Sequence, residues 1–106
     1  MNPMSPIKTK YLTSWQEKSK GLIGEKKAFP VFFKTRFGIH TFGMKFPIDV
    51  VILDQKMCVV LLRKNLEPNR FLFWNPIYCG VLELPSGEAK RIGIEKDSLL
   101  KLDLKQ

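Results

Sequence analysis

Apolar residues fall in short blocks with mostly strand-like spacing, separated by breaks rich in glycine, proline and charge. Ile7-Lys8-Thr9-Lys10-Tyr11-Leu12 nearly alternates and predicts an opening strand. Ser14-Trp15-Gln16-Glu17 fits the S-x-x-E capping box, and Gly21 and Gly24 stop the short helix it opens. Phe29-Pro30-Val31-Phe32-Phe33 predicts a strand with its proline near the start. Arg36 to Lys45 predicts a strand broken by Gly38 and Gly43, with a bulge or a tight approach. Ile48–Leu53 and Met57–Arg63 flank Asp54-Gln55-Lys56, which predicts an antiparallel hairpin whose strands are both mostly buried. Asn65 to Asn75 reads as an ordered loop or irregular edge, and Tyr78 to Leu84 as a strand ended by Pro85. Ser86 is placed to cap a second helix over Glu88–Ile92, with Gly93 just past its end. Ser98 to Leu104 predicts the last strand. Strands dominate, so the expected fold is mainly β: a small barrel-like sandwich of antiparallel strands with one or two short helices.

A length of 106 residues holds one core, so residues 1–106 form a single domain. No apolar run reaches the ~18 residues a membrane span needs, and Met1 to Thr9 lacks the apolar stretch of a secretion signal. Cys58 and Cys79 are too few for a disulfide framework or a zinc site, which suggests a cytoplasmic protein with free thiols.

The net charge is +8, and it is unevenly placed. Residues 1–48 carry nine basic side chains against Glu17 and Glu25, whereas residues 49–106 carry nine against eight acidic ones. Such a basic half suits nucleic acid, a membrane surface or an acidic partner, but a solvated lysine-rich surface explains it more simply. Arg36 to Phe42 superficially resembles the basic-aromatic strand of single-strand-binding barrels. In a chain this small, most of the eight phenylalanines are expected in the core, so nucleic acid is not the favoured partner.

His40 stands far from both cysteines in sequence, and no metal, phosphate-loop or nucleophile-elbow motif occurs, so neither metal nor organic cofactor is expected. Cys58, inside an apolar run, reads as a small buried hydrophobe. Two carboxylates stand out instead. Asp49 lies between Ile48 and Val50, and Glu83 between Leu82 and Leu84. A carboxylate in an apolar strand must face solvent, meet a cation or sit in a wet pocket. The candidate ligand-binding set is therefore Asp49 and Glu83 with His40, Lys45 or Arg70 in reach, on neighbouring parts of one face, together with Met44. A structural role for both carboxylates is the simpler alternative.

Gly21-Leu22-Ile23-Gly24, Gly38 to Asp54, Val81 to Ala89 and Gly93 to Asp97 together resemble the "domain of unknown function 192" family over about Lys18 to Leu104. The resemblance implies a compact β domain of bacteria and archaea, with motif positions at Gly21, Leu22, Met44, Pro47, Asp49, Asp54, Glu83, Pro85 and Gly87. It carries a fold and a set of positions, not a reaction. The expected function is a binding or accessory module, monomeric or dimeric, for a small polar ligand or a protein partner. Two rivals stand beside it: a nucleic-acid binder using the basic N-terminal half, and a small hydrolase-like enzyme using Asp49, Glu83 and His40.

Overall fold

The computed structural model describes residues 5–106; Met1 to Met4, part of the segment read for a secretion signal, lie outside the described residues. The elements in chain order are β1 (Ile7–Tyr11), α1 (Trp15–Lys20), β2 (Val31–Lys34), β3 (Gly38–His40), β4 (Ile48–Leu53), β5 (Val59–Leu66), β6 (Phe71–Phe73), β7 (Gly80–Pro85), α2 (Glu88–Ile92) and β8 (Leu102–Lys105). Six strands form one sheet in the order β5-β4-β7-β2-β1-β8, and β3 and β6 form a separate two-stranded ribbon.

β4 and β7 lie side by side inside the sheet, antiparallel, with Val50 opposite Glu83 and Asp49 opposite Leu84. All six residues of β4 are buried, as an apolar run interrupted only by Asp49 predicts for a strand covered on both faces. One face carries Val31, Phe33, Ile48, Val50 and Ile52 against Leu22, Met44 and Leu72. The other carries Phe32, Val51, Leu53, Leu82 and Leu84 against Ala89, Ile94 and Leu100.

The Asp54 hairpin forms as predicted. Its side chain accepts hydrogen bonds from the Lys56 and Cys58 amides at 2.8 and 2.9 Å, which closes the turn. Its second strand differs from expectation: β5 runs on to Leu66, and only Val59 and Leu66 are buried, because β5 lies at a sheet edge. The sheet is also mixed rather than antiparallel throughout, since β1 pairs parallel with both β2 and β8. Among the described residues no closed barrel forms. The C-terminal segment instead links the two edges: Val59 donates to the Ser98 carbonyl and Leu100 to that of Met57, before β8 joins β1.

The capping box closes α1, with Glu17 donating its amide to Ser14 Oγ at 3.1 Å and Glu17 Oε1 accepting from the Ser14 amide at 3.2 Å. α2 spans the expected residues, but Ser86 does not cap it. The N-cap is Gly87 in a left-handed conformation (φ 92°), and Ser86 Oγ donates to Asn65 Oδ1 instead. Two further differences concern the ribbon. The Arg36 to Lys45 strand shortens to β3, and part of the predicted loop becomes β6, because Gly38, Ile39 and His40 pair with Phe73, Leu72 and Phe71. Both cysteines are free thiols and half-buried, so Cys58 is less enclosed than its neighbours suggested.

Candidate functional site

The two carboxylates that interrupt apolar strands meet different fates, and the register explains why. Glu83 sits opposite Val50, and Asp49 opposite Leu84. Side chains alternate along a strand, so the two carboxylates point to opposite faces of the sheet. Both are buried, at 2% and 1% exposure. The expected shared site of Asp49 and Glu83 therefore does not exist, and neither does the acid–base trio with His40.

Asp49 is fully employed by the backbone. Its Oδ1 accepts the Asn65 amide at 2.9 Å, and its Oδ2 accepts those of Gly87 and Ala89 at 3.0 Å each. It thus supplies from a neighbouring strand the N-terminal cap that α2 lacks of its own. That bonding removes the need for a cation partner.

Glu83 has no such partners. Its Oε1 is buried without a hydrogen bond, and burial raises its carboxyl pKa from 4.5 to about 8. It is therefore a mostly neutral acid at physiological pH. It opens onto a cavity of about 260 Å³. The end of α1 supplies Lys18, Ser19, Lys20 and Gly21; Phe33, Ile39 and Met44 form apolar walls; and His40 stands at the exposed side. Lys20 Nζ turns to Glu25 Oε2 at 2.9 Å, so it does not neutralise Glu83. A second cavity, of about 320 Å³ beside Tyr11, Asp54 and Tyr78, holds no unpartnered buried group, because Asp54 is occupied by its own turn.

Of the sequence-predicted set, Glu83, His40 and Met44 line the cleft. Lys45, Asp49 and Arg70 do not; Arg70 pairs with Glu67 at 3.3 Å on the surface. Sequence reasoning missed Lys18, Lys20 and Gly21 as cleft residues. Gly21 read as a helix stop and a motif position, not as a cleft residue, although its positive φ of 50° also lets the backbone pass close to Glu83. Among the described residues, no three His, Cys, Asp or Glu side chains converge as a metal cluster, and no helix is long and apolar enough to cross a membrane.

Two crystal structures share the fold. One is a protein of unknown function from Novosphingobium aromaticivorans DSM 12444, at TM-score 0.72 and 20% identity, over 82% of this chain and 69% of that one. The other, from Sinorhizobium meliloti 1021, is provisionally called a transcription regulator; it aligns at TM-score 0.75 and 16% identity, over 84% of this chain and 76% of that one. No curated protein matches the chain. The motif positions all find places in this architecture: Gly21, Met44 and Glu83 at the cleft, Leu22 in the core, Asp49, Asp54 and Gly87 at backbone turns and caps, Pro47 just before β4 and Pro85 at the end of β7. The DUF192 family model, described as an uncharacterized ACR, matches residues 2–102, nearly the whole sequence, and the chain belongs to that family.

Proposed function

We propose that the protein is a cytoplasmic binding module whose ligand is a small polar molecule held in the Glu83 cleft. One observation carries this reading: Glu83 Oε1 is buried with no hydrogen-bond partner, beside a cavity of about 260 Å³. An orphaned buried acceptor costs about 1–3 kcal/mol. Packing alone does not require that cost, because leucine would fill the same strand position. A ligand group that bonds Glu83 removes it on binding. The apolar walls of Ile23, Phe33, Ile39 and Met44 suit a short aliphatic middle, and Lys18 with His40 at the opening suits an anionic outer end. The two unbridged thiols support a reducing compartment.

A hydroxy acid with a short chain, 4-hydroxybutyrate, has this distribution of groups and serves as the probe. Heteronuclear NMR should show shifts centred on Gly21, Ile39, His40 and Glu83, which vanish in a folded Glu83→Leu variant. No response to the hydroxy acid, its amide or its amine counterpart contradicts the reading.

A further inference from the structure

The β3–β6 ribbon has its apolar residues on both sides. Ile39 and Leu72, paired across the ribbon, turn inward to the core, and Leu72 is buried. The alternate positions, His40, Phe71 and Phe73, turn outward. Phe71 and Phe73 are 59% and 68% exposed, with Phe42 at 41% and Phe37 at 66%. Half of the eight phenylalanines therefore face water, against the expectation that most would fill the core.

Three of these rings, with His40, form an ordered row. Phe71 stacks on Phe73 with centroids 5.6 Å apart and planes at 13°; Phe42 meets Phe71 edge-on at 4.8 Å; His40 lies 5.4 Å from Phe42. Gly38 makes room for the row, since a Cβ there would stand 2.6 Å from Phe73 Cδ1 and 2.6 Å from the Leu72 carbonyl oxygen. Aromatic side chains arranged side by side in water, on a ribbon that already has a core face, are a contact surface.

The local charge says what the surface fits. The two segments that build it, residues 34–45 and 70–79, contain Lys34, Arg36, Lys45 and Arg70 and no acidic residue; Glu67, just before the second, pairs with Arg70, which leaves Lys34, Arg36 and Lys45 as the local excess. A second copy of a +8 chain would bring like charge to this face, whereas a phosphodiester strand brings the opposite charge. Flat rings beside cations match unpaired bases on a charged backbone, and a duplex hides the base faces such rings would touch. We propose that the outer face of the β3–β6 ribbon is a stacking platform for single-stranded nucleic acid. It is distinct from the Glu83 cleft, which β3 borders with Gly38, Ile39 and His40; of the outward-facing rings only His40 reaches both.

Fluorescence anisotropy on the full chain tests this, with labelled oligothymidylate and oligouridylate of about 15 nucleotides and a duplex of equal length. Either single strand should bind more tightly than the duplex, the stronger of the two showing whether DNA or RNA is preferred. The affinity should fall as salt rises, by release of counterions. The double substitution Phe71→Ala and Phe73→Ala should weaken binding by about tenfold or more with its Tm unchanged, both side chains being exposed. Glu83→Leu should bind the oligonucleotides as the native protein does, which separates this surface from the cleft. Failure of both single strands to bind, equal binding of the duplex, or an unaltered affinity in the double variant overturns the proposal. So does sedimentation showing a dimer that the double variant dissolves while oligonucleotide binding persists.

Discussion

Gly21 backs directly onto Glu83: a Cβ on Gly21 would stand 3.2 Å from Oε1, and the residue holds a φ of 50°. The end of α1 thus closes over the orphaned carboxyl with the one residue type that adds no side chain there. Gly21→Ala should lose about 1–3 kcal/mol from backbone strain and should abolish the NMR response to 4-hydroxybutyrate. Thermal unfolding and the probe titration measure the two effects. A variant as stable as the native chain that still binds the probe contradicts the contact.

Burial of Glu83 makes stability depend on pH in a defined direction. Its folded pKa of about 8 lies above the ordinary 4.5, so between those values the folded chain holds a proton that the unfolded chain releases. Stability should fall as pH rises through this window, by roughly 5 kcal/mol in all, and should be insensitive to this group below it. Glu83→Gln cannot ionise and should flatten the dependence. Urea unfolding of both forms at pH 5 and pH 9 reads the difference; parallel profiles contradict it.

Asp49 is a side chain the fold depends on through its hydrogen bonds. Asp49→Ala leaves the amides of Asn65, Gly87 and Ala89 without their acceptor and should cost about 3 kcal/mol or more. Asp49→Asn should also lower the Tm, because its amide nitrogen cannot accept the bonds that Oδ2 accepts. Probe binding in the cleft should survive in the folded fraction, since Asp49 lies on the other face of the sheet. Loss of probe binding without loss of stability would reverse the assignment.

Much of this was legible in the sequence wherever one local cause decides structure. The Ser14–Glu17 box and the Asp54 turn each satisfy backbone groups within a few residues, so their chemistry shows in the chain itself. The α2 cap was not legible, because Asp49 reaches it across 38 positions and Ser86, the local candidate, bonds Asn65. The opposite orientations of Asp49 and Glu83 likewise depend on the β4–β7 register, which neither strand encodes alone. In Phe71-Leu72-Phe73 every residue is apolar, so alternation gives no sign that leucine goes inward and the rings outward.

Thr41 holds the ribbon to the loop that follows β5. Fully buried, its hydroxyl donates to the Glu67 carbonyl at 2.7 Å and accepts the Arg70 amide at 2.9 Å. Thr41→Val keeps the shape and removes both bonds, which should cost about 2 kcal/mol. Hydrogen exchange should quicken first at Arg70 and across β6. Uniform exchange rates in the variant and the native chain contradict this.

Glu83 is protonated inside its cleft near neutral pH, and carbon-13 NMR of its carboxyl reads that state. A native chain labelled at glutamate should show one carboxyl, absent in Glu83→Gln, that titrates near pH 8 and changes its chemical shift when 4-hydroxybutyrate is added. A carboxyl titrating near 4.5, or one indifferent to the probe and to its amide and amine counterparts, would contradict the account.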